Sequence, residues 1–147
     1  MRDANSISIF DSYPFQNSVR ILRQMDASFD LIQGYLTRFV QVVRPLAPAL
    51  IFFDNTNSSK AVDQFRNIGK EWGGMWVEYA VALITNCPYA FKRNLKGYDG
   101  ALEFIVAYQQ LLSSLLQWID IQHLVLENHD HSRNWGTTYQ RIESFLG

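Results

Sequence analysis

Two rhythms of apolar residues run along this chain: short unbroken runs, and stripes recurring every three or four positions. Runs predict strands and stripes predict helices, because side chains repeat every two residues on a strand and about every 3.6 on a helix. Ser6 to Ser12 reads as a short strand, with Ile7, Ile9 and Phe10 as β formers and Ser12-Tyr13-Pro14 as its stop. A short helix follows over Phe15 to Met25, with Phe15, Val19 and Leu22 on one side. The spacing Phe29, Ile32, Leu36, Phe39, Val40, Val43 predicts a longer helix, capped by Asp26 or Ser28 and ended by Pro45.

Pro48 to Asp54 is a continuous apolar run, the signature of a strand covered on both faces in a parallel sheet. Ser58 or Ser59 caps a helix through Val62, Phe65 and Ile68, and Gly73-Gly74 interrupts the pattern. It resumes through Met75, Tyr79 and Leu83 and ends near Asn86-Cys87-Pro88. Gly97 to Gly100 punctuates a loop. Ala101 to Ile119 carries a dense helical stripe of Leu102, Ile105, Tyr108, Leu112, Leu115, Leu116 and Ile119. Ile121 to Glu127 is a third strand, and Asn134 caps a last helix bearing Tyr139, Ile142, Phe145 and Leu146. The order β-α-α-β-α-α-α-β-α predicts an α/β layer fold with parallel strands. Three strands are few for that class.

Composition narrows the picture. The 147 residues are 48% hydrophobic and 14% aromatic, enough for one folded domain over 1–147 with a single core. Thirteen basic against fourteen acidic residues give a net charge of −1, which offers no whole-molecule attraction to nucleic acid or anionic lipid. The single Cys87 excludes an internal disulfide framework. The first apolar run ends quickly at Asp11, so neither a signal peptide nor a membrane span is expected, and a cytoplasmic protein is.

Three segments, in order, resemble P-loop kinases of the nucleoside and thymidylate kinase type. The first is Ile7 to Asn17, similar to the strand whose end carries an acidic residue beside the phosphates and metal. The second, Arg44 to Asp54, is similar to the strand that follows the helices behind the substrate pocket. The third runs from Leu124 to Asn128, then Asn134 to Ile142, then Phe145-Leu146, like the closing strand, polar loop and helix of such kinases. The resemblance implies a helix-rich three-layer P-loop-kinase-like domain with a short, mostly parallel sheet of about three strands, and ATP with Mg²⁺ as ligands. It also implies phosphoryl transfer from a nucleoside triphosphate to a small acceptor.

The departure from that pattern matters more. The phosphate cradle Gly-x-x-x-x-Gly-Lys-Ser/Thr holds phosphates with consecutive backbone N–H groups and a lysine. No such string occurs in the sequence: Gly69-Lys70 lacks the first glycine and the Ser/Thr, and Gly73-Gly74 lacks the lysine. In the family the strand bearing that loop lies between those matching Ile7–Phe10 and Leu50–Phe53. The expectation is therefore a chain in which the N-terminal P-loop strand is missing, either as part of a longer kinase or as a natural protein that has lost its phosphate site. Alone it would be inactive.

Individual residues carry alternatives. Asp11 is either the inherited catalytic carboxylate or a turn aspartate. Arg66 and Lys70, four apart on one helical face, are either lid cations reaching the transferred phosphate or a solvated surface. Tyr13, Phe15 and Gln16 line a nucleobase pocket or pack a core. Lys92-Arg93, with Lys96, contact phosphates or water. Trp72 and Trp76 read as core, and His129-x-His131 as a polar loop rather than a metal site. A different class of reading makes the chain a non-catalytic module, in which surfaces left by the missing strand bury against a partner or form a homodimer.

Overall fold

A computed structural model describes residues 8–12, 15–54, 65, 67, 74–127 and 135–147. The chain forms α1 (Phe15–Gln24), α2 (Phe29–Val43), a 3₁₀ turn (Arg44–Leu46), β1 (Ala49–Asp54), α3 (Gly74–Thr85), α4 (Pro88–Arg93), α5 (Gly97–Leu116), β2 (Gln122–Glu127) and α6 (Trp135–Leu146). It is a helix-rich α/β architecture. Its described sheet has two strands, parallel, with Ala49 opposite Gln122 and Asp54 opposite Glu127. Arg44 and Asp120, which precede the two strands, form an ion pair that joins their entrances.

Local chemistry sets the helix ends. Ser28 accepts the Leu31 N–H at 3.3 Å and caps α2, deciding between the two candidate caps. Asp26 instead ends α1 in the left-handed region, φ 57°, with the Ala27 N–H donating back to Leu22 O. Asn94 plays the same part after α4, φ 54°, with Leu95 N–H bonded to Ala90 O. Aspartate and asparagine tolerate this backbone better than other non-glycine residues. Pro45 turns the end of α2 into the 3₁₀ turn, closed by Ala47.

The core lies where α1, α2 and α5 meet the buried side of β1. Phe15 and Val19 of α1, Ile32, Leu36 and Val40 of α2, and Phe104, Leu112 and Leu115 of α5 are buried together with Phe52. An aromatic chain runs through it: Tyr89 meets Phe104 edge-on at 5.3 Å, and Phe104 stacks on Tyr108 at 6.1 Å. The Tyr108 hydroxyl donates to Gln16 O, and burial pushes its pKa up, so it stays protonated.

Four expectations are corrected. The segment read as a first strand is irregular over Ser8–Phe10, with Ile9 90% and Phe10 72% exposed; Ile7 lies outside the described residues. A strand needs a neighbour to take its backbone hydrogen bonds, and none stands beside it among the described residues. The sheet is not covered on both faces, since Phe53 and Val125 remain exposed. Gly97 to Gly100 is the first turn of α5 rather than a loop. A Cβ on Gly100 would come within 2.7 Å of the Leu95 carbonyl carbon, so the glycine is what lets this helix start against α4. Last, α4 itself was not foreseen, because six residues between Pro88 and Arg93 show no full apolar period. The helix expected from Ser58 or Ser59 lies almost wholly outside the described residues; Phe65 and Asn67, which are described, are helical.

Candidate functional site

Two places gather chemistry-bearing residues. The first is the carboxyl end of the parallel pair, where side chains and loops of α/β sheets meet ligands. Asp54 and Glu127 are register partners there, and the Ser113 hydroxyl of α5 reaches Asp54 Oδ1 at 3.5 Å. Both acids follow apolar runs, so their shared signal in the sequence is a carboxylate at the close of a strand. In the sequence they stand only as the last residues of the runs Pro48–Asp54 and Ile121–Glu127. Only pairing of the strands sets them side by side. His129 and His131 lie outside the described residues.

The second place is the junction of α1 with α4. Asp26, turned inward by its left-handed backbone, accepts Lys92 Nζ at 2.8 Å on one oxygen and Arg93 Nη1 at 2.7 Å on the other. Hydrogen bonds from Lys92 and then Arg93 hold its carboxyl below the ordinary aspartate value of 3.8. The Arg93 guanidinium lies 3.6 Å from the centroid of the Tyr89 ring and that of Arg23 lies 4.4 Å from it. Arg23 also donates to the Tyr89 hydroxyl at 3.2 Å. One turn earlier, Arg20 donates to Gln24 Oε1 at 3.0 Å, and the Gln24 amide in turn donates to Leu83 O.

The residues marked in the sequence do not converge on one spot. Asp11 is exposed and, among the described residues, accepts a local bond from the Ser12 hydroxyl at 3.0 Å. Phe15 is buried with its ring edge-on to Phe52 at 5.7 Å, a core contact rather than a stacking platform for a base. The Gln16 side chain is exposed, and its carbonyl is taken by Tyr108. Arg93 is bound to Asp26 and Tyr89, so it is an anchor of α4 before it is a phosphate contact. Tyr13, Arg66 and Lys70 lie outside the described residues. The α1–α4 junction is half legible: Lys92 and Arg93 stand out as a basic cluster, but Asp26, which binds both, is up to 67 positions away, and nothing in the sequence ties Arg23 to Tyr89.

Fold and strand-end acids define a helix-rich α/β protein with a parallel pair at its centre. No family model matches the chain, and neither a curated protein nor a solved structure does. Among the described residues no helix is long and apolar enough to cross a membrane.

Proposed function

We propose that this chain is a nucleotide-kinase-like module that accepts a further parallel strand along β1 and does not transfer phosphate without it. The observation that carries the reading is the unequal treatment of the two sheet edges. Helix α6 lies against β2, and its Arg141 Nη2 donates to Val125 O at 3.3 Å. β1 pairs with β2 alone among the described residues, and its apolar run Leu50-Ile51-Phe52-Phe53 has none of the charges that blunt a free edge. A strand entering there, from upstream residues or from another chain, would make the third layer-forming strand and bring a phosphate-binding loop to the carboxyl ends beside Asp54 and Glu127. The exposed Ser8–Phe10 segment, with its strand-forming side chains, fits the far side of such an insertion.

In this reading Asp11 is the inherited carboxylate, Arg66 and Lys70 are lid cations, and Tyr13 and Gln16 flank the base. The Asp54 carboxylate and the Ser113 hydroxyl, 3.5 Å apart, are hard oxygen donors that suit a Mg²⁺ ion. The triphosphate itself is another matter: the sequence holds no glycine-rich cradle for it, so no transfer step is assigned to this chain alone.

Calorimetric titration with ATP–Mg²⁺ tests the proposal. In a chain carrying Arg20→Gln and Arg23→Gln, no saturable binding at sub-millimolar nucleotide is expected. Binding in the micromolar range that survives Arg20→Gln and Arg23→Gln would show a complete site and overturn it.

One observation favours the second reading, a partner-burying module. Helix α3 is apolar almost all round, with Glu78 its one charge, yet Met75, Tyr79 and Leu83 are 83%, 66% and 45% exposed along one face. Helices of that composition are ordinarily buried on all sides. Sedimentation of the chain alone separates the two: a monomer at micromolar concentration speaks against self-association through α3.

A further inference from the structure

We infer that the basic junction of α1 and α4, led by Arg23 with Arg20 one turn before it, binds a phosphate-type oxyanion. The inference is independent of the strand-end reading above, because it concerns neither β1 nor the carboxyl ends. Arg23, Lys92 and Arg93 bring three positive charges to this corner, Arg20 adds a fourth one turn earlier on α1, and Asp26 is the one carboxylate bound to any of them among the described residues. Asp26 spends both oxygens on Lys92 and Arg93. Arg20 and Arg23 are half-buried, and among the described residues each is held by a neutral group only: Gln24 Oε1 for Arg20, and the Tyr89 hydroxyl and ring for Arg23.

Half-buried charges without a counter-charge are unusual, because desolvation costs are normally offset by a partner. Arg23 Nε is shielded from water and, among the described residues, has no hydrogen-bond partner, so the charge is only partly compensated. The two arginines are also pre-positioned. Tyr89 fixes Arg23, Gln24 fixes Arg20 and is itself buried and bonded to Leu83 O, so little side-chain freedom remains to be lost on binding. Arg23 and Arg93 lean on one tyrosine ring, which keeps their guanidinium carbons no farther apart than their two ring distances combined. Guanidinium forks match the tetrahedral oxygens of phosphate in paired hydrogen bonds, and a dianion answers the excess charge better than a single carboxylate does.

The test is calorimetric titration of the whole chain with pyrophosphate, ADP and malonate at matched low ionic strength. Saturable pyrophosphate binding is expected, weakened about tenfold or more by Arg20→Gln and by Arg23→Gln, the loss expected for a charge-assisted pair. Arg38→Gln, which removes an exposed charge from α2, should change it less than about twofold. Equal affinity for pyrophosphate and ADP assigns recognition to the phosphates themselves; tighter ADP binding assigns a nucleotide as their source. Malonate binding as tightly as pyrophosphate overturns the phosphate assignment. Absence of heat up to about 10 mM pyrophosphate, or equal weakening by Arg38→Gln, overturns the site. Circular dichroism checks that the variants fold, and Arg20→Gln, which leaves the Tyr89 contact intact, carries the test if Arg23→Gln does not.

Discussion

Helices α5 and α3 lie against one another and are both rich in apolar residues, yet they end in opposite circumstances. α5 buries Phe104, Tyr108, Leu111, Leu112 and Leu115 among α1, α2 and β1. α3 sets Ala80 inward, leaves Trp76, Val77, Val81 and Ile84 half-buried, and turns Met75, Tyr79 and Leu83 to solvent. Composition does not separate them, for α3 carries fewer charges than α5. What separates them is company: α5 is buried among helices and a strand, whereas the described neighbours of α3 leave the face of Met75, Tyr79 and Leu83 open. An apolar helix is buried only as far as the rest of the fold supplies surface to meet it.

That contrast can be broken most sharply at Phe104. Phe104→Ala should cost about 3–5 kcal/mol, because the ring is 2% exposed and touches both Tyr89 and Tyr108. Urea unfolding followed by circular dichroism measures it, and a loss below about 1 kcal/mol would mean that the α5 core is far looser than its packing indicates.

Next comes the start of α5. Gly100→Ala should destabilise by about 1–3 kcal/mol, since the added methyl meets the Leu95 backbone at 2.7 Å. Gly34→Ala in the interior of α2, where a Cβ meets nothing within 4 Å, should instead stabilise by about 1 kcal/mol through helix propensity alone. Opposite signs from the same substitution would confirm that close approach, not flexibility, places the glycine at 100.

A pH scan reads the α1–α4 pin. The Asp26 pKa is lower in the folded chain than in the unfolded one, so its contribution is present above the ordinary value of 3.8 and is lost as pH falls through that value toward the folded one. Wild type should therefore lose more stability between neutral and strongly acid pH than Asp26→Asn, which keeps a side chain that tolerates the left-handed backbone. Parallel pH curves for the two proteins would exclude the pin. The smallest effect is expected on the open face of α3: Met75→Ser should leave stability within about 0.5 kcal/mol. A loss of several times that, growing with protein concentration, would show that a second copy covers α3 and would erase the contrast with α5.

Much of the architecture was legible because it rests on local rules. Ser28, Pro45 and the apolar runs at Leu50–Phe53 and Leu124–Leu126 announce a cap, a stop and two strands, and each depends on residues within a few positions. In α1 and α2 the stripes also named most of the buried residues, and in α5 they named Tyr108, Leu112, Leu115 and Leu116 but missed Ala101, Phe104 and Leu111. In α3 and α6 they failed: Met75, Tyr79, Leu83, Tyr139 and Leu146 keep the helical spacing but face outward, and in α6 only Thr138 is buried. Periodicity says which residues share a face and not which face finds a neighbour. The expected first strand fails over its described residues Ser8–Phe10 for a related reason, since β propensity forms no strand without a partner for its backbone.

The sequence alone therefore settled the helix and strand segments near their caps and breakers, because turn chemistry and side-chain period act over a few residues. Tertiary structure decided the rest. It made β1 and β2 a parallel pair that sets Asp54 beside Glu127, and placed Gly100 against Leu95. It also drew Arg23, Asp26, Tyr89 and Arg93 into one corner from distant parts of the chain. Such meetings depend on how whole elements pack, and no local pattern encodes them.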